Sequence, residues 1–315
     1  MKKKLTVALL SGGSSSEREV SLSSGQQVFE ALDKSRYEVL RYDPKTDLGR
    51  LVAEAGKIDA ALIILHGANG EDGTVQGLLD LLNIPYQGSG VLGSAVAMSK
   101  IAAKRLYAEA GLPIPAYAVV RRGEAVDSPR LCERLGLPVV VKPEGGGSSV
   151  GIRIVRTPEE LRPALSYALD HDSQVLVEAY IDGIEITGSV LGNETLEALP
   201  IIEIIPAPGH EFFDYHAKYT PGACEEICPA RIDAELTAKA QELSLAAHRA
   251  LFCRGYSRTD MILKGREMFI LETNTIPGMT ATSLLPRAAQ AAGIGFGRLL
   301  DRLIALSLEG RGAPG

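Results

Sequence analysis

The chain has 315 residues, 45% hydrophobic and 23% charged, with 33 Lys and Arg against 39 Asp and Glu, a formal charge of −6. That balance argues against disorder over most of its length. With no basic block beyond Met1-Lys2-Lys3-Lys4, it also argues against broad electrostatic capture of nucleic acid. No apolar run approaches the roughly 18 residues that cross a bilayer, and the N-terminal lysines meet no cleavage-like site, so a cytoplasmic location and a small-molecule substrate are expected.

In chain order, apolar runs of strand length alternate with segments of helical period. The clearest strands are Leu5 to Leu10, Ala60 to Leu65, Pro138 to Val141, Val175 to Val177 and Met268 to Leu271, an α/β pattern. The first strand runs through Ser11-Gly12-Gly13-Ser14-Ser15-Ser16-Glu17 into a helix expected from about Ser21, the kind of turn at which α/β proteins bind ligands. A junction is expected around Ala110 to Pro115 and another near Asp182-Gly183. Between Pro206 and Pro229 the sequence has no clear period. It reads as a long loop, and Phe212-Phe213-Asp214-Tyr215 makes it too aromatic for a solvated linker, hence a lid. The four cysteines, Cys132, Cys224, Cys228 and Cys253, are too scattered for a disulfide framework. Cys224 and Cys228 lack a second Cys or His pair and read as packing thiols.

The strongest chemical signal lies near the C-terminal end. Arg258-Thr259-Asp260-Met261-Ile262, a turn at Lys264-Gly265-Arg266, and Phe269 to Thr275 describe an antiparallel hairpin. Side-chain alternation makes Glu272 and Asn274 point the same way and can put Asp260 on the same face. Three oxygen ligands without Cys or His suit Mg²⁺ or Mn²⁺, which complete their shells with water and phosphate; the competing reading is a solvated hairpin face. A second signal is Lys142-Pro143-Glu144-Gly145-Gly146-Gly147-Ser148-Ser149-Val150-Gly151 between two strands. Its backbone amides suit a phosphate cover, although it is neither a Walker loop nor a dinucleotide fingerprint, and a plain hairpin turn is the alternative. A third is His66-Gly67-Ala68-Asn69-Gly70-Glu71-Asp72-Gly73 after the second strand. There His66 holds the strand end and Asp72 reads as a cap for a helix starting near Thr74. Glu17 suits a ligand ammonium or a plain surface position.

Together these segments resemble the D-alanine–D-alanine ligases of the ATP-grasp superfamily, from Gly12-Gly13-Ser14-Ser15-Ser16-Glu17-Arg18-Glu19-Val20-Ser21 to Asn274-Thr275-Ile276-Pro277-Gly278-Met279-Thr280. Thr259 and Thr273 depart from the pattern, standing where the family usually has aliphatic residues. The resemblance implies an ATP-grasp fold with an N-terminal α/β substrate-binding domain (1–100), a central subdomain (101–183) and a C-terminal catalytic subdomain (184–315) whose lid is 206–229. It also implies a homodimer, and ATP-dependent joining of two D-alanines through an acyl phosphate for peptidoglycan synthesis.

By the same resemblance, Lys100, Lys142 and the loop serines Ser148 and Ser149 hold nucleotide, with Glu178 and Glu185 on its adenine and ribose side. Two Mg²⁺ or Mn²⁺ ions sit on Asp260, Glu272 and Asn274. Glu17 and His66 lie at the first D-alanine, and Ser283, otherwise a helix N-cap, receives the second substrate's carboxylate. Arg258 and the Gly278 backbone N–H steady the oxyanion, while Lys218 and Tyr219 belong to the lid, the tyrosine reaching toward Ser148 and Glu17. For Arg258 a salt bridge to a neighbouring carboxylate is the plainer reading. Depsipeptide-forming relatives typically carry His where this chain has Tyr219, which favours two D-alanines. A non-catalytic ATP binder and another ATP-grasp enzyme of the biotin carboxylase kind are the alternatives.

Overall fold

A computed structural model describes residues 3–145, 151–206 and 224–309. Three sheets organise them. The first is parallel, in the order β2-β1-β3, built from β1 (Leu5–Ser11), β2 (Tyr37–Tyr42) and β3 (Ala60–Ile64). Every residue of β3 is buried, as a strand covered on both faces requires. Helix α1 (Arg18–Ala31) begins three residues earlier than the sequence suggests, with Glu17 at its N-cap; α2 spans Leu48–Glu54. Helices α3 (Thr74–Leu81) and α4 (Val91–Met98) pack against each other.

Beyond β3 the chain at Pro85 to Gln87 continues the sheet. Ala61 N–H donates to Pro85 O at 2.7 Å and Gln87 N–H to Ala61 O at 3.2 Å. The last rung is a side chain: the Gln87 amide accepts from Ile63 N–H and donates to Ile63 O, both at 2.8 Å, and its nitrogen lies 3.2 Å from the Tyr256 hydroxyl.

Helix α5 (Lys100–Glu109) leads to the second sheet, antiparallel in the order β4-β7-β5-β6, formed by β4 (Tyr117–Arg121), β5 (Val139–Pro143), β6 (Arg153–Val155) and β7 (Gln174–Ala179). Helices α6 (Ser128–Leu135) and α7 (Pro158–His171) close one face around Val139, Val141, Val175 and Val177.

The third sheet runs β11-β10-β8-β12-β13, with β9 on β8. Its strands are β8 (Ile184–Gly192), β9 (Leu196–Ala198), β10 (Ile202–Pro206), β11 (Cys224–Ile227), β12 (Gly255–Lys264) and β13 (Glu267–Asn274). The segment expected to be irregular from Pro206 to Pro229 thus ends in a strand, Cys224 pairing with Pro206. All four cysteines are free.

Helix α8 (Ala234–Ala250) backs this sheet, and the buried face of α5 enters the same core through Ala103 and Tyr107, beside Met261 and Ile270. Helices α9 (Leu284–Ala291) and α10 (Phe296–Leu308) pack between the first and third sheets, their leucines joining Val7, Leu62 and Leu191. Among the described residues no helix is long and apolar enough to cross a membrane.

Candidate active site

The β12–β13 hairpin forms one wall. Asp260 pairs with Glu272 and Arg258 with Asn274 across the ladder, so all four side chains share a face. A bulge between Asp260 and Met261 moves the pairing so that Met261 faces Ile270, turning that apolar side chain into the core while Glu272 stays opposite Asp260 and Asn274 opposite Arg258. The Asp260 carboxylate is buried and heavily engaged. Oδ1 accepts from Arg258 Nε at 2.8 Å and Thr187 Oγ1 at 2.6 Å; Oδ2 accepts from Arg258 Nη2 at 2.7 Å and Asn274 Nδ2 at 3.1 Å. The salt bridge expected as the plainer reading of Arg258 is therefore present.

Thr259 and Thr273 point to the other side, where their hydroxyls lie 2.9 Å apart and Tyr107 of α5 donates to Thr273 Oγ1 at 2.7 Å. This is why two polar residues occupy aliphatic positions: each buried hydroxyl has a partner.

The opposing wall comes from the second sheet and α5. Glu178 on β7, 1% exposed, binds two lysines, Lys142 of β5 at 2.6 Å through Oε2 and Lys104 of α5 through Oε1. Burial disfavours its charge, yet the two ammonium groups win and hold it below the usual carboxylate range. Burial likewise opposes charge on Lys142, but Glu178, helped by Glu272 and Glu185, keeps that lysine above its ordinary value. For Lys104 the balance falls the other way, burial lowering it in spite of Glu178. Glu185 lies on β8 opposite Ile262. Lys100 opens α5, whose N-cap Ser99 accepts from Ala102 N–H and donates to Glu144 Oε1 at 2.8 Å, tying the helix to the chain leaving β5.

The third component is the pair of loops at the C-terminal ends of β1 and β3. Glu17 and His66 are both buried. Ser15 Oγ donates to His66 O at 2.6 Å and accepts from Glu17 N–H at 3.2 Å. Gly67 takes φ +69, a backbone conformation that favours glycine, and a Cβ there would come within 2.9 Å of Glu17 Oε2. His66 Nε2 has no hydrogen-bond partner among the described residues. Burial lowers the pKa of this imidazole, Glu17 works to raise it and Arg258 to lower it, which places the loops against the β12 wall electrostatically. The N-cap of α3 is Gly73, and Asp72, expected to cap, stands one residue before it, its Oδ1 accepting from Thr74 N–H at 3.0 Å. Glu71 does something else: it accepts from Gly67 N–H at 2.6 Å, and burial pushes its carboxyl up to about 8, with Glu17 adding to the shift.

Ser283 is the N-cap of α9, though its hydroxyl accepts from Thr280 N–H at 3.1 Å and pairs with Thr280 Oγ1 at 2.7 Å instead of bonding into the helix. A Cβ on Gly278 would lie 3.0 Å from Ser283 Oγ, so these two expected substrate residues are neighbours. Ser148, Ser149, Lys218 and Tyr219 lie outside the described residues.

Two family models match the chain, the D-ala D-ala ligase N-terminus over residues 6–52 and 43–89 and the D-ala D-ala ligase C-terminus over residues 106–305. This chain belongs to the D-alanine–D-alanine ligase family. A D-alanine–D-alanine ligase from Syntrophobacter fumaroxidans is 66% identical over 97% of this chain and 98% of its own length, and one from Desulfotalea psychrophila is 53% identical over 97% and 96%. Among solved structures, the ligase of Bacillus anthracis complexed with ATP superposes with a TM-score of 0.85 at 38% identity, covering 96% of this chain and 97% of that one. A D-Ala:D-Ser ligase from Enterococcus faecalis reaches 0.84 at 33% identity over 97% and 100%. The fold is the ATP-grasp fold of these D-alanine–D-alanine ligases, a parallel sheet at the N-terminus with antiparallel sheets after it. Three site residues escaped the sequence reading, Lys104, Glu71 and Thr187. The only signal was spacing for Lys104, four residues after Lys100 on one helix face.

Proposed function

We propose that this chain joins two D-alanine molecules into D-alanyl-D-alanine at the expense of ATP, supplying peptidoglycan synthesis. The observation that carries the reading is the meeting, in one site of an ATP-grasp ligase fold, of an oxygen-donor wall at Asp260, Glu272 and Asn274 with a lysine wall at Lys142, half-buried and held by the buried Glu178. The donors are two carboxylates and a side-chain amide, a set that fits hard divalent cations; two Mg²⁺ or Mn²⁺ ions there would neutralise phosphate charge. Lys100 and Lys142 grip the phosphates, and Glu178 and Glu185 lie on the adenine and ribose side. Loop serines Ser148 and Ser149 cover the nucleotide, and Lys218 and Tyr219 close the lid against water.

A carboxylate is a poor acyl donor because its leaving group is oxide. Its attack on the γ-phosphate converts that group to phosphate, and the second amine then displaces it. Phosphoryl transfer needs positioning and charge neutralisation more than a protein nucleophile, which this site's composition matches. Glu17 and His66 hold the first D-alanine near its ammonium, Ser283 takes the second carboxylate, and Arg258 with the Gly278 N–H stabilises the tetrahedral oxyanion.

The division 1–100, 101–183 and 184–315 then separates substrate loops, nucleotide wall and catalytic wall. A homodimer is in keeping with the exposed Leu81 of α3 and Val91 and Leu92 of α4. The cytoplasm, which holds ATP and peptidoglycan precursors, is the compartment this reading requires.

Mass analysis of products from ATP, Mg²⁺ and D-alanine tests the reaction directly, with ADP, phosphate and D-alanyl-D-alanine expected in equal amounts. ADP without dipeptide would overturn it. Tyr219 favours D-alanine as the second substrate, so near neutral pH a mixture with D-lactate should yield dipeptide far above depsipeptide.

A further inference from the structure

Lys104 is an unusual place for a lysine. Its side chain is 1% exposed, it sits mid-helix in α5, and it reaches two elements at once: Glu178 of β7 and, at 2.9 Å, the backbone carbonyl of Ile270 on β13. Ile270, paired with Met261, is the first residue back in register beyond the bulge at Leu271 that presents Glu272 and Asn274. Its N–H is also fixed, donating to Pro113 O at 2.8 Å. One turn further along the same helix face, Tyr107 holds Thr273 of the same strand. The opposite end of that face is Lys100, at the helix N-terminus. A single helix face therefore runs from the nucleotide side of the cleft to the back of the metal strand.

The charges make Lys104 more than a brace. Lys104 and Glu178 are buried and Lys142 is half-buried beside them, so that within this triad two cations share one anion. Burying charge is costly unless it is compensated, and removing one partner of a buried ion pair leaves the other uncompensated. In this arrangement each Glu178 oxygen has its own ammonium. When Lys142 turns from Glu178 toward an incoming anion, Glu178 keeps Lys104 and is not stranded. Without Lys104 the same movement would leave a bare carboxylate in the interior.

We propose that Lys104 is a positioning residue for nucleotide binding: by holding one oxygen of Glu178 it frees Lys142, on the other oxygen, to meet phosphate, and by holding Ile270 O it keeps the metal strand in register with that lysine. The proposal rests on the reading of Lys142 as a phosphate lysine. It makes no covalent step, and Lys104 touches no reacting atom.

The test is a charge-balance cycle read by calorimetry with the non-hydrolysable analogue AMPPNP and Mg²⁺ on the full chain, with the fold of each variant checked by circular dichroism and melting. Lys104→Met leaves a neutral Lys142–Glu178 pair and is expected to weaken AMPPNP binding about tenfold or more, and to raise KM for ATP in step, with KM for D-alanine unchanged within about twofold. The double variant Lys104→Met, Glu178→Gln restores the single positive excess and needs no buried counterion. It is expected to bind the analogue more tightly than Lys104→Met alone, against the usual direction of a second site mutation. Lys104→Met with wild-type analogue affinity would overturn the proposal, as would a double variant no tighter than the single one. If Lys104→Met fails to fold, the double variant decides: AMPPNP binding at least about threefold tighter than that of Lys142→Met supports the proposal, and loss comparable to Lys142→Met overturns it. Wild-type chain that binds AMPPNP but forms no dipeptide would sink the ligase reading while leaving this one standing.

Discussion

The two walls of the cleft solve opposite electrostatic problems. On the second sheet, Glu178 is outnumbered by Lys104 and Lys142. On the third, Arg258 is outnumbered by Asp260 and Glu272, which share its face. The two imbalances offset each other across the site: burial opposes charge on Lys142, and Glu272 and Glu185 of the third sheet join Glu178 in supporting it. Neither wall is neutral by itself. Each meets part of its charge with a partner close by and part with the opposite wall, which limits the cost of keeping charges out of water.

The largest effect should come from erasing the anionic excess. Glu272→Gln keeps the shape and removes the charge, and turnover in a coupled ADP assay is expected to fall by at least about a hundredfold with the melting temperature little changed. Near-normal rates in Mg²⁺ would break the comparison at its root.

A smaller effect probes the tie that runs behind the anionic wall. Thr273→Val leaves the Tyr107 hydroxyl buried without its acceptor and is expected to cost about 1–3 kcal/mol in urea unfolding. The triple change Tyr107→Phe, Thr259→Val, Thr273→Val removes every member of the network and should recover most of that loss. A triple variant weaker than Thr273→Val would mean that packing, not hydroxyl pairing, holds β13.

The smallest effect is a pH dependence at the third side of the site. The Glu71 carboxyl sits at about 8 against an ordinary 4.5, burial being the main cause. Between those values the folded chain keeps a proton that the unfolded chain has released. Its contribution to stability is therefore complete below about pH 4.5 and is lost as pH rises toward 8. Glu71→Gln cannot ionise, so in melting curves the variant should gain on the parent steadily from pH 5 to pH 8. Parallel curves would show that Glu71 is ionised in the folded chain.

The hairpin was legible in the sequence because side-chain alternation is a local rule, and Asp260, Glu272 and Asn274 do share a face. The bulge that makes this possible was not, since nothing in Phe269-Ile270-Leu271 announces an unpaired residue. The parallel β1 and β3 units, and the loops after them, followed from strand-to-helix punctuation.

Lys104 is the clearest case of the opposite kind. Nothing in Lys100-Ile101-Ala102-Ala103-Lys104 marks the second lysine as interior, and the backbone acceptor it reaches lies 166 residues further on, at Ile270. Glu71 was hidden similarly. In sequence it looks like part of a helix cap beside Asp72, and only the left-handed turn at Gly67 brings a backbone N–H onto its carboxylate. Local periodicity carries the scaffold, whereas burial of a charged group depends on what the rest of the chain brings to it.

The Gln87 side chain, which finishes the ladder beside β3, has a consequence outside catalysis. A three-stranded parallel sheet that ended at Ile63 would offer an open N–H and an open carbonyl at its rim, the template on which extended chains aggregate. One carboxamide fills both positions and, through the Tyr256 hydroxyl, fastens the rim to β12. Gln87 thereby closes that rim to a second chain while leaving the loops after β1 and β3 clear.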